Sequence, residues 1–325
     1  MRTLLGAFLL VALVGCGASP AAAPPHVTPA VTSVPSATVA PAAHATAAYA
    51  SFRLPFAIAR EAVVADPSHP GQLVLAGGMF PDDTSSARAI MLDLTTGRSQ
   101  LLPTLGTPVH DVAGGLYGGN PAVFGGGNAS EQSVVQELIG GRWKPVTHLP
   151  TTRSDLSVAT VEGTTLVIGG YDGTNVPREI LAVGPGGLHP VGRLVSGVRY
   201  AATAVVGASV YVFGGEVNGR ELGSVQVYNA AKARSAVVGR LPRPLGHAVA
   251  VTVGDRVLLL GGRTDPSTQT AAMWWFDPAA GRFTRAGSLP AALSDSAVIS
   301  IGQQVWLLGG EDPSVTDRVV VIRIS

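Results

Sequence analysis

Cysteine is almost missing from this chain: Cys16 is the only one in 325 residues. No disulfide framework can form within one molecule, so stability has to come from a buried core, which a chain this long can supply. Charge is sparse and balanced, at 13% charged residues and a formal net charge of +1. With no basic patch, nucleic acid is excluded as an expected partner. Long apolar runs are missing after the N-terminus; Gly254-Asp255-Arg256 interrupts the longest, so no later membrane-spanning helix is expected. Catalytic signatures are missing as well. There is no Gly-x-Ser-x-Gly elbow, no phosphate-binding Walker loop and no His-Glu-x-x-His. The histidines are scattered without metal-ligand spacing, so neither a metal nor a cofactor is expected.

What the chain does have is a repeat. Two adjacent glycines recur six times, each at the end of a short apolar run: Gly77-Gly78, Gly125-Gly126, Gly169-Gly170, Gly214-Gly215, Gly261-Gly262 and Gly309-Gly310. Successive pairs lie 48, 44, 45, 47 and 48 residues apart. Such a period marks a supersecondary unit that buries its apolar face only by stacking on copies of itself. The runs before the glycines, such as Val210-Tyr211-Val212-Phe213 and Val257-Leu258-Leu259-Leu260, are β-branched or aromatic and bounded by glycine. That pattern predicts fully buried strands rather than helices.

A second run, such as Ala248–Val253 or Ser296–Ile301, lies upstream of each pair and alternates small with large residues. The small face suits an innermost strand crowding an axis. A third strand is expected at positions such as Ser224–Tyr228, and a fourth around Gly141–Val146. Asp93–Arg98 and Asp277–Arg282 read as one turn in two repeats. Four antiparallel strands in each of six repeats give an all-β, six-bladed β-propeller. The chain ends on a third strand, Asp317–Ile324, with no fourth. Ala50–Pro55 is therefore expected to complete the last blade and remove the free edges. Trp143, Trp274 and Trp275 are expected between blades, with only one of the adjacent pair facing inward.

With these marks the chain resembles the kelch-repeat family. The glycine pairs after a hydrophobic strand carry the resemblance, with the aromatics Trp143 and Phe283 and the Leu-Pro steps Leu149-Pro150, Leu241-Pro242 and Leu289-Pro290. It covers residues 49–325, the expected propeller domain. It implies the fold but no single activity, because the family spans enzymes, adaptors and scaffolds. The copper-radical chemistry of the family's galactose oxidases needs a cysteine joined to a tyrosine, and the repeats contain no cysteine.

The N-terminus reads as an export signal: Arg2, then an apolar stretch from Leu4 to Val14 too short for an ordinary span. Leu13-Val14-Gly15-Cys16 resembles a bacterial lipobox, which implies lipidation at Cys16. The expected domains are thus a signal over 1–16, a disordered linker over 17–48 rich in Ala, Pro, Thr and Ser, and the propeller. Fully stretched at ~3.1 Å per residue, such a linker reaches on the order of 100 Å.

A constellation emerges on counting fourteen residues back from each glycine pair: Asp111, Asp155, Tyr200, His247 and Asp295. In the first repeat the count gives Val63; allowing an insertion of two residues near Asp66–Pro70 gives Glu61. These residues would open the innermost strands at one mouth of the channel. They share that face with the residues after the glycines: Asn128, Tyr171, Asp172, Glu216, Arg263 and Glu311. Glu61, Asp111, Asp155 and Asp295 would form an acidic arc. Arg199, Tyr200, His247 and Arg263 would make the opposite side mixed or cationic. Crowded carboxylates should titrate high or attract a cation. The alternative is that these residues only bond nearby backbone.

The expected function is that of a non-catalytic binding or scaffold protein, anchored by lipid on the extracytoplasmic side of a bacterial membrane. As a monomer it would present this mouth to a saccharide, peptide or protein. The second expectation is an extracytoplasmic carbohydrate-active enzyme similar to the kelch sialic acid mutarotases, with Glu216, His247, Arg199 and Arg263 as nearest candidates.

Overall fold

Six four-stranded antiparallel sheets stand around a common axis in the computed structural model, which describes residues 44–325. Blade one runs through Ala62–Ala65, Gln72–Ala76, Ala89–Asp93 and Ser99–Leu102. Blades two to five repeat that meander, with innermost strands Ala113–Tyr117, Ser154–Val161, Ala202–Val206 and Val249–Val253. Blade six is composite. Its inner strands are Ala297–Ile301, Gln304–Leu308 and Arg318–Ile324, and its outermost is the N-terminal strand Ala45–Arg53. The six innermost strands neighbour one another in a closed cycle, blade six against blade one. No helix occurs among the described residues.

The closing strand pairs Ala45 with Ile324 through Tyr49 with Val320, slips at a bulge, and pairs again at Arg53 with Arg318. It begins four residues before the expected domain boundary at Tyr49. Residues 45–48, expected in the linker, are ladder residues instead, because each finds a partner on Arg318–Ile324. Cys16 and the export signal lie outside the described residues.

Packing follows the seams. Six apolar clusters form, one between each pair of neighbouring blades. Trp143 lies in the seam of blades one and two. Trp275 is fully buried between blades five and six, while its neighbour Trp274 points the other way, toward blade four. Turns repeat faithfully too. Asp93 accepts from the backbone N–H of Thr95 and Thr96, as Asp277 does from those of Ala279 and Ala280.

The glycine pairs join the blades at the axis. Both glycines of every pair have positive φ, 72° and 96° at Gly77 and Gly78 for example. The second donates its N–H to a carbonyl of the loop entering the next blade: Gly78 to Val109 at 2.8 Å, Gly126 to Arg153 at 2.7 Å, Gly310 to Ile58 at 2.8 Å. A Cβ at Gly78 would lie 2.9 Å from the Ala59 carbonyl oxygen and 2.7 Å from an Ile58 side-chain carbon, so a larger residue has no room. Two residues beyond each of those acceptors comes the first residue of the axial site.

Candidate functional site

Six residues, one per blade, sit in the left-handed region although none is glycine: Arg60, Asp111, Asp155, Tyr200, His247 and Asp295, with φ from 51° to 60°. Aspartate and histidine tolerate that conformation better than most side chains, which accounts for four of the six. Tyrosine and arginine do not share that tolerance. Held strain of this kind costs on the order of 1–3 kcal/mol per residue and persists only where the surroundings impose it.

The surroundings are a circle of backbone hydrogen bonds. Asp155 N–H donates to the Asp111 carbonyl (2.9 Å), Tyr200 to Asp155 (3.1 Å), His247 to Tyr200 (3.0 Å), Asp295 to His247 (3.1 Å) and Arg60 to Asp295 (2.9 Å). The last link slips by one residue: Val112, not Asp111, donates to the Arg60 carbonyl, at 3.5 Å. The six residues therefore lock blade to blade around the axis while aiming their side chains at it.

The sequence count placed five of the six correctly and misplaced the first. Arg60, not Glu61, is the ring residue of blade one, because the insertion there is three residues long rather than two. The apolar residue two positions earlier gives the right frame: Ile58 matches Val109, Val198, Leu245 and Leu293. Glu61 follows the ring and occupies the position of Val112, Leu156, Ala201, Ala248 and Ser296.

This shift corrects the electrostatics. The expected acidic arc has a guanidinium within it. Arg60 lies 3.4 Å from Asp111, 3.7 Å from Asp295 and 3.1 Å from Glu311. Arg199, next to the ring, lies 3.3 Å from Asp155 and 3.4 Å from Glu216. Arg263, just after its glycine pair, reaches Asp295 at 3.0 Å and Glu311 at 2.6 Å. His247 hydrogen-bonds Asp295 through Nδ1 at 2.7 Å and lies 3.5 Å from Glu216 through Nε2.

Read around the mouth, the charges alternate. Asp155, Arg199, Glu216, His247, Asp295, Arg263, Glu311, Arg60 and Asp111 form one open circuit. It fails to close only between Asp111 and Asp155, where two carboxylates are neighbours. The Tyr200 hydroxyl donates to Asp111 there at 3.3 Å. Its ring stacks on His247 with centroids 3.9 Å apart, and Arg199 lies over its face at 4.8 Å. Arg60 comes within 5.9 Å of the same ring from the opposite blade, so the side chains meet across the axis.

Titration follows the circuit. Burial disfavours charge on His247, but the hydrogen bond and charge of Asp295 and the hydrogen bond of Glu216 overcome it and raise its pKa to about 9. Burial acts against ionised Asp295 too, yet His247, Arg60 and Arg263 hold it down at about 2. At the break in the circuit the balance reverses. Burial and the charge of Asp111 push Asp155 well above the usual carboxylate range, although Arg199 partly offsets them.

Below the ring, small and apolar residues such as Gly114, Val158, Ala202, Ala250 and Val298 wall a cavity of about 290 Å³. Of the other expected face residues, Tyr171 stacks under Arg199 at 4.9 Å. Asp172 caps its own turn through Thr174 and Asn175, and Asn128 bonds the Pro108 carbonyl; neither joins the circuit.

No family model matches the chain, and no curated protein matches it. Solved structures do. YjhT aligns over 84% of this chain and 99% of its own, with a TM-score of 0.73 and 14% sequence identity. At that identity the likeness is one of fold, and it agrees with the six-bladed propeller described above.

Proposed function

We propose that this chain is a kelch-type propeller acting as a non-catalytic binding or scaffold protein. It is exported, held to the outer side of a bacterial membrane through a lipid on Cys16, and presents its axial mouth to a saccharide, peptide or protein. The observation that carries this reading is the charge circuit. Most of its groups hold one another in pairs, and Asp155, its pKa raised at the break by burial and Asp111 to about 7, is the group least tied. His247, the natural candidate for proton transfer, keeps its proton between two carboxylates, whereas a general base works best with a pKa near the working pH.

The break between Asp111 and Asp155 is the place for a ligand. Two neighbouring carboxylates, with the Tyr200 hydroxyl between them and Arg60, His110 and Arg199 only at their flanks, favour a cationic or donor-rich group. A cavity of about 290 Å³ lies just below the ~300–1,000 Å³ range of ligand pockets, which suits one sugar unit or one side chain rather than a long polymer.

The second reading is a carbohydrate-active enzyme similar to the sialic acid mutarotases. Its support is that an acid/base candidate, His247, lies near two arginines able to hold a sugar carboxylate, Arg199 and Arg263. A glycan array carrying neutral, anionic and amino sugars, followed by a turnover assay on each hit, separates the two. Binding without turnover supports the first reading; turnover abolished by His247→Gln supports the second.

A further inference from the structure

One carboxyl group stands apart from the circuit. Glu61 is 5% exposed, and neither of its oxygens has a hydrogen-bond partner among the described residues. In the other blades its position is held by Val112, Leu156, Ala201, Ala248 and Ser296. A glutamate at a seam position otherwise apolar or small is a local conflict of the kind that marks function or stored strain.

Its location gives the conflict meaning. Glu61 reaches from blade one to blade six: a Cβ on Gly309 would lie 3.0 Å from its Oε1, and the Ala297 N–H is also near. This seam is where the two ends of the propeller chain meet, since blade six is completed by Ala45–Arg53. Asp295 is the charged group of blade six that acts on Glu61, and its charge opposes ionisation. Arg60 precedes Glu61 in the chain but is committed to Asp111 and Glu311, with Asp295 at 3.7 Å. Arg263 and His247, the cations of blade five, are committed to Asp295, Glu311 and Glu216. Among the described residues no cation is paired with Glu61. An ionised carboxylate there has lost its water and gained no counter-charge, only the nearby Glu61 and Ala297 N–H groups, so burial favours the neutral acid.

We propose that Glu61 is a proton-held latch: as the neutral acid it keeps the seam between blades six and one closed, and on ionising it loosens that seam beside the axial ring. The proposal does not depend on what the mouth binds. Burial is the main cause that raises the Glu61 pKa, to about 8, with Asp295 adding to it and the Glu61 and Ala297 N–H groups opposing. The latch therefore opens in a mildly alkaline range. Because the folded pKa lies above the unfolded one, the stabilisation is complete below about 4.5 and is lost as pH rises through about 8.

The test is hydrogen–deuterium exchange of the whole chain from about pH 6 to about pH 10, corrected for intrinsic exchange, in wild type and Glu61→Gln. In wild type, protection of residues 58–64 and 294–298 should fall at least several-fold as pH passes about 8, while the seam between blades three and four holds. In Glu61→Gln the two seams should change in parallel up to about pH 8.5, the range in which the variants are compared, because nearer about pH 9 loss of the His247 proton weakens its bond to Asp295 in both proteins. A Gln variant with the same selective loss as wild type overturns the proposal. If that variant does not fold, the assigned Glu61 carboxyl ¹³C resonance of the wild type decides. Titration above about pH 7 supports the latch, and titration in the ordinary glutamate range overturns it.

Discussion

Blades four to six and blades one to three build the same mouth with different material. In every blade the residue after the glycine pair faces the residue just before the ring, as in Arg199 with Glu216, Ser294 with Glu311 and Ala59 with Met79. In blades four, five and six that position holds Glu216, Arg263 and Glu311, each opening a short two-stranded hairpin. In blades one, two and three it holds Met79, Gly127 and Tyr171. The charged half supplies a counter-charge to every ring group near it. The uncharged half leaves Asp111 and Asp155 adjacent; Arg60 and Arg199 beside them are shared with other carboxylates, and the His110 imidazole lies 3.5 Å from Asp111. One backbone plan thus yields a tied half and an open half, and the open half is where a ligand gains most.

The sharpest way to break this comparison is to take a tie from the charged half. Arg263→Met removes the cation shared by Asp295 and Glu311 and leaves both buried and underpaired. It should destabilise the fold by on the order of 3 kcal/mol, read from denaturant unfolding. Met79→Ala, at the matching position of the uncharged half, breaks no ion pair and should cost clearly less. Equal losses would mean that the two halves do not differ.

A pH series gives a smaller effect with a definite sign. His247 titrates above its unfolded value, so its stabilisation is complete below about 6.5 and lost as pH rises through about 9. Asp295 titrates below its unfolded value, so its stabilisation is complete above about 3.8 and lost as pH falls through about 2. Glu61 adds to the alkaline loss. Because the losses from Glu61 and from Asp155, both raised, begin above about 4.5 and about 3.8, the melting temperature should be highest at about pH 4 to 5 and fall through neutrality, and His247→Gln should flatten the limb above about pH 6.5. A maximum at pH 8 or above would contradict the assignment.

The smallest expected effect on stability is that of the double substitution Asp111→Asn with Asp155→Asn. Asparagine keeps the left-handed backbone and hydrogen-bonding capacity and removes the repulsion at the break. Unfolding free energy should change by less than about 1 kcal/mol.

Much of this was legible in the chain. The glycine pairs and the alternation at Ala248–Val253 give blade number, strand order and the inner face, because burial around an axis admits few residues there. The unpaired Asp317–Ile324 announced the closing strand. The beginning of that strand was not legible: Ala45–Ala48 are as alanine- and threonine-rich as the segment before them, and only the partner strand makes them ladder. The ring was legible at Asp111, Asp155, Tyr200, His247 and Asp295, where spacing is regular. It was lost at Arg60, where an insertion moved the frame by one residue and exchanged a cation for an acid. The pairing pattern could not be read at all, since Glu216 to His247 and Arg60 to Glu311 are contacts between blades that share no local signal.

The central claim is that the mouth binds its ligand at the break between Asp111 and Asp155. Its most direct test is titration of the best hit from the glycan array against wild type and the Asp111→Asn, Asp155→Asn double variant, with both shown to be folded by their melting curves. The account predicts a loss of about 1–3 kcal/mol in binding, roughly ten- to a hundred-fold in affinity, with stability nearly unchanged. A double variant that binds as well as wild type but unfolds more easily would contradict it and leave the ring as a structural clasp alone.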